Sequence, residues 1–205
     1  MKVSNKDRDL NGSVPDQSRV AFLLVDVIND FEFEDSNEIF KNALAASTLI
    51  AAFKARVKSA GIPVIYANDN FGKWQSDFRK LLDHCLNENV RGRPIAEALK
   101  PAEDDYFVLK PKHSAFYSTT LEVLLRYLGA RVLILTGFAS NNCVLFTAGD
   151  AYMRDFELVV PSDCVASPSL KDDQVALKLM QSVLKADTRP STEIDLRVWL
   201  ESGEK

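Results

Sequence analysis

Short, nearly unbroken apolar runs alternate along this chain with longer segments whose apolar positions recur every three to four residues. The run RVAFLLVD (19–26) ends in an acid and has no polar interruption, the pattern of a strand buried on both faces of a parallel sheet. PVIYAN (63–68), YFVLK (106–110), RVLILTG (131–137) and ELVVPSD (157–163) read as further strands, with a weak one near 187–189. Between them, residues 38–60 carry Ile39, Leu44, Leu49, Ala52, Phe53 and Val57 at helical spacing and stop at Gly61 and Pro63. A short helical pattern spans about 78–86. Leu121, Leu124, Leu125 and Leu128 form one stripe closed by Gly129, and helices follow over about 142–154 and around Val175, Leu179, Met180 and Val183, with a last short one near Val198 and Trp199.

Strand and helix alternating about six times predict an α/β fold. The expected form is a three-layer α/β/α sandwich around a mostly parallel, doubly wound, Rossmann-like sheet of about six strands. Residues 1–18 are polar, carry Gly12 and Pro15 and lack periodicity, so a flexible N-terminal arm is expected there, followed by a single domain over 19–205.

Composition removes several classes of function. No apolar run approaches the roughly 18–20 residues of a membrane span, and the N-terminus lacks the apolar core of a secretory signal, so a cytoplasmic location without membrane association is expected. The net charge of −4, with lysines and arginines scattered, offers no electrostatic footprint for nucleic acid. The three cysteines, Cys85, Cys143 and Cys164, are odd in number and form no CxxC pair, which argues against both a disulfide framework and a thiolate zinc site. With only His84 and His113 for imidazole ligands, neither a metal nor another cofactor is expected.

In doubly wound sheets ligands bind beyond the carboxyl ends of the strands. The residues at those ends are Asp26, the run Asn68, Asp69 and Asn70, Lys110, and the loop GFASNNC (137–143). A thiol attacks as the thiolate, so a nucleophilic Cys143 needs its pKa lowered by a cation, a base or a helix N-terminus. Ser140, Asn141 and Asn142 are good N-cap types just before an apolar helical run, whose first amides could serve a developing oxyanion. The residues alone leave other readings open. Free cysteine is often a buried hydrophobe, Asp26 could cap a loop, Lys110 could be a solvated amine beside Lys112, and Cys143 could pair with His113. Cys85 and Cys164 read as structural.

Three blocks tip that balance by resemblance. LLVDVINDF (23–31), LKPKHSAFYSTTLEVLL (109–125) and LILTGFASNNCVLFTAGDAYMRDFELVVPSDCVAS (133–167), in that order, resemble the isochorismatase-like cysteine hydrolases across roughly residues 19–190. The resemblance implies Asp26 as general base, Lys110 rather than Lys112 as electrostatic support, and Cys143 as nucleophile. It also implies a cis peptide between Phe138 and Ala139, an oxyanion hole from the amides of Ala139 and Cys143, and a homodimer or higher oligomer. Ile28 departs from the glutamine usual in the first block. The histidines that bind metal in nicotinamidases of the family are absent from NDNFGKW (68–74). Phe31, Asn70, Trp74, Phe116 and Asn142 are the candidate pocket residues.

The expected activity is hydrolysis of a small amide or ureido C–N bond through an acyl-enzyme. The alternatives are isochorismatase-type vinyl-ether hydrolysis with Cys143 a bystander, and a silent binding or scaffold module.

Overall fold

The computed structural model describes residues 17–70 and 77–201. Trp74 and most of the expected N-terminal arm therefore lie outside the described residues. The strands are β1 (Val20–Val25), β2 (Val64–Asp69), β3 (Tyr106–Lys110), β4 (Val132–Phe138), β5 (Glu157–Val159) and β6 (Val165–Ala166). The helices are α1 (Ser36–Ser59), α2 (Phe78–Asn87), α3 (Arg93–Ala98), α4 (Leu121–Leu128), α5 (Leu145–Tyr152), α6 (Leu170–Ser182) and α7 (Leu196–Glu201).

All strand pairs are parallel, in the order β3-β2-β1-β4-β5, with β6 pairing the end of β4. From β1 the chain steps outward to β2 and β3, then returns to place β4 on the other side of β1. The order therefore reverses between β1 and β4, the position beyond whose carboxyl edge ligands bind in such sheets.

The continuous apolar character of β1 follows from this central position. Val20, Phe22 and Leu24 enter a core shared with α1, α2, α3 and α7, while Ala21, Leu23 and Val25 enter a second core under α4, α5 and α6. Successive side chains of a strand point to opposite faces, so a strand covered on both faces has no polar position to spare.

Four local expectations are corrected. The strand expected over 157–163 stops at Val159; the chain turns through Pro161, and Val165 and Ala166 form β6 against Gly137 and Phe138. The strand expected near 187–189 is a single bridge between Val159 and Asp187. The segment read as loop after Leu86 contains α3, with a proline in its first turn. On α6 and its C-cap the expected apolar positions divide: Met180, with Ala176 and Asp173, is buried, whereas Val175, Leu179 and Val183 are exposed.

Candidate active site

Each candidate side chain stands at or just beyond the carboxyl end of a strand. Asp26 follows β1 with φ of 53°, a left-handed conformation that aspartate tolerates better than most residues. Its Oδ1 accepts from the amide of Asp69 at 2.7 Å, which locks the end of β1 to the end of β2. Lys110 ends β3, in register with Asp69 of β2.

At its carboxyl end β4 runs through Gly137 into a cis peptide between Phe138 and Ala139. Gly137 has φ of 115°, and a Cβ there would lie 2.1 Å from the carbonyl oxygen of Val25, so only glycine fits where β4 crosses β1. The chain then makes a π-helical turn, Ser140–Val144, in which the amides of Asn142 and Val144 both donate to the carbonyl of Ala139 at 3.1 Å. This wide turn carries Cys143 and feeds directly into α5.

These elements bring Asp26, Lys110 and Cys143 together, although they are distant in sequence. Lys110 is fully buried; its Nζ lies 2.8 Å from Asp26 Oδ2, 3.4 Å from Cys143 Sγ and 3.5 Å from Asp69 Oδ2, and donates to the carbonyl of Lys112 at 3.2 Å. The reading of Lys110 as a solvated amine is therefore excluded. Asp69, overlooked as a partner of that ammonium, could have been found from the parallel register that sets the two strand ends side by side.

The electrostatics revise one expectation. Burial pushes the Cys143 thiol up to about 12, Asp26 adds to the rise, and Lys110 opposes it. The thiol is therefore shifted above its ordinary range rather than below it. Burial also raises the Asp26 carboxyl, with the charge and hydrogen bond of Lys110 pulling the other way. For Lys110, burial works against the charged form, but Asp26 and Cys143 outweigh it and the ammonium is held above its ordinary range. The contribution of a helix N-cap is corrected as well. Ala139 occupies the cap of the π-turn, which has no side-chain capping bond, and Ser140 is turned inward.

His113 is exposed; its ring lies 5.5 Å from that of Phe146 and its Nδ1 is 3.9 Å from Cys143 Sγ, farther than Lys110 Nζ. Asn142 sits within the turn beside Cys143, and the amide of Asn70 donates to the carbonyl of Lys110 at 3.1 Å. Phe31 is packed with Phe40 and Phe138 in one core and Phe116 with Phe156 in the other. Ile28 is buried, and its carbonyl accepts from the side chain of Asn68 at 2.7 Å. Cys85 and Cys164 are fully buried and in no disulfide. Among the described residues no three His, Cys, Asp or Glu side chains gather as a metal site, and no helix is long and apolar enough to cross a membrane.

The fold is a parallel, doubly wound α/β sheet that gathers a thiol, an ammonium and a carboxylate at its carboxyl edge. The chain belongs to the isochorismatase family, whose Isochorismatase domain matches residues 20–188. The uncharacterized isochorismatase family protein YaaI of Bacillus subtilis (strain 168) is 42% identical over 174 residues, 85% of this chain and 95% of that one. Isochorismatase from the same organism is 31% identical over 173 residues, 80% of this chain, which spans only 54% of the relative's length. Among solved structures, N-carbamoylsarcosine amidase from Thermoplasma acidophilum superposes with a TM-score of 0.68 at 25% identity, covering 86% of this chain and 99% of the amidase.

Proposed function

We propose that the protein hydrolyses a small amide or ureido C–N bond through a thioester on Cys143. The observation that carries this reading is the buried Lys110 ammonium, in contact with both the Asp26 carboxylate at 2.8 Å and the Cys143 sulfur at 3.4 Å. A thiol raised to about 12 is a poor nucleophile by itself, so the carboxylate beside it must take its proton as the sulfur attacks. The proton passes to Asp26 as the C–S bond forms, leaving sulfur without a proton next to Lys110 only when it is needed. The tetrahedral oxygen is stabilised by the amides of Ala139 and Cys143.

Asp26 then returns its proton to the departing nitrogen as the C–N bond breaks. In the second half a water gives its proton to Asp26 while its oxygen attacks the thioester, and the thiol is restored with that proton. Lys110 keeps its charge throughout. Asn70 and Asn142 flank this centre and are the candidate contacts for the substrate's polar groups. The structural likeness to an amidase supports C–N cleavage, whereas the isochorismatase relative keeps vinyl-ether hydrolysis as the competing chemistry.

The test is ammonia release from a panel of small amides and ureides, with intact-mass detection of an adduct. Cys143→Ala is expected to lose at least ~10³-fold in turnover and every adduct, since removing a covalent nucleophile removes the pathway. A Cys143→Ala enzyme that hydrolyses its best substrate at the parental rate would sink this reading. If that substrate were a vinyl ether, chemistry by Asp26 without the thiol would take its place.

A further inference from the structure

A chain of buried oxygens lies behind the nucleophile turn, and the proposed reaction does not use it. Asp173 of α6, 9% exposed, has its Oδ1 2.5 Å from Ser140 Oγ. Ser140 Oγ is 2.6 Å from Ser167 Oγ, and Ser167 Oγ is 2.9 Å from Asn141 Oδ1 while accepting from the Asn141 amide at 3.1 Å. Ser140 and Ser167 are fully buried. Ser140 and Asn141 open the π-turn that carries Cys143, Ser167 follows β6, and α1 reaches the same point through Asn42, whose side chain donates to the Ser167 carbonyl at 2.9 Å. One carboxyl group thus ties the turn to α6 and to the end of β6.

The protons in this chain can be counted. Three oxygen–oxygen contacts run from Asp173 through Ser140 and Ser167 to Asn141, and each needs one proton. The two hydroxyls supply two. The Asp173 carboxyl is the remaining group among the four side chains able to place a third proton between oxygens. Its neighbours pull both ways: hydrogen bonds from the hydroxyls of Ser140 and Ser167 and from the Ser167 amide lower its pKa, the like charge of Asp172 on its own helix raises it, and Asp163 lines the same groove from the loop before β6. Burial holds its carboxyl above the usual range.

We propose that Asp173 is the positioning residue of the nucleophile turn and acts as a neutral carboxylic acid, donating to Ser140, which donates to Ser167, which donates to Asn141. Along these three contacts the chain has one polarity and a proton for each, so it specifies a single arrangement of the turn. The role depends on the proposed nucleophile only where turnover is concerned.

Carbon-13 NMR of protein labelled at aspartate carboxyls, with Asp173→Asn assigning the resonance, reads the protonation state directly. At pH 7 the carboxyl carbon is expected at the protonated position. An ionised signal would overturn the proposal, the chain then running the opposite way from an N–H of Asn141. Hydrogen exchange at the amides of residues 140–144 reads the positioning: Asp173→Ala is expected to speed exchange at least tenfold and Asp173→Asn, which keeps a donor in place, less than threefold. Equal exchange in all three proteins would also overturn it. On a hydrolysed substrate, Asp173→Ala is expected to lower kcat tenfold or more with KM within threefold, and Asp173→Asn to restore most of the loss. Absence of any hydrolysed amide counts against the proposed function alone, since the NMR and exchange results do not depend on it.

Discussion

Replacing Lys110 with methionine keeps most of the side chain's volume and removes its charge from the middle of the site. Asp26 loses a partner at 2.8 Å, Cys143 one at 3.4 Å and Asp69 one at 3.5 Å. At an effective dielectric constant of about 20, a pair 2.8 Å apart attracts with about 6 kcal/mol. Desolvation of both charges offsets part of this, and removing one member of a buried pair typically costs about 3–5 kcal/mol because the other is left uncompensated. Asp26, with 9% of its side chain exposed, escapes some of that cost by taking up a proton, so we expect the lower end, about 3 kcal/mol. For a chain of this size that lowers the melting temperature by roughly 6–12 °C at pH 7.

The pH dependence has a definite sign. Without Lys110 the folded-state pKa of Asp26 rises further above its unfolded value, so this group favours folding at acid pH and the benefit is lost as pH rises through the folded pKa. The deficit of Lys110→Met relative to the parent must therefore shrink on going from pH 7 to pH 4.5. Adding Asp26→Asn to Lys110→Met removes both charges and should recover stability without recovering hydrolysis. Scanning calorimetry of the three proteins at both pH values checks this. A Lys110→Met protein that melts with the parent at pH 7, or with the same deficit at both pH values, would refute the reasoning.

Two further outcomes follow from the geometry. Asp26→Asn removes a charge that raises the Cys143 thiol while leaving Lys110, which lowers it, so the thiol pKa should fall below about 12 even as hydrolysis is lost; thiolate absorbance near 240 nm across a pH titration measures it, and a pKa that stays put or rises contradicts the assignment of causes. Gly137→Ala would force a Cβ to within 2.1 Å of the Val25 carbonyl oxygen at a φ of 115°, and is expected to cost at least ~3 kcal/mol, seen as a lower denaturant midpoint; a midpoint within error of the parent would mean that β1 and β4 separate easily.

Much of the architecture is legible in local patterning. The unbroken apolar run of β1 announces a strand covered on both faces, and Leu121, Leu125 and Leu128 announce the buried side of α4, because burial on a regular element imprints its period on neighbouring residues. The same logic held only in part on α6, where Met180 is buried but Val175, Leu179 and Val183 face outward. Periodicity shows that a helix has two faces. It does not show which one the sheet selects.

By itself the sequence determined the alternation of strands and helices, hence the sheet and the edge where strand ends gather, and it marked Asp26, Lys110 and Cys143 through the company each keeps in its block. Only the tertiary structure decided that one buried ammonium touches both the carboxylate and the sulfur, that Asp69 shares it, that burial raises the thiol's pKa, and that Asp173 reaches Ser140 across the fold. The reason is physical: a backbone pattern is set by neighbours a few residues away, whereas a pKa or a proton count depends on burial and on charges that adjoin only once the chain has closed.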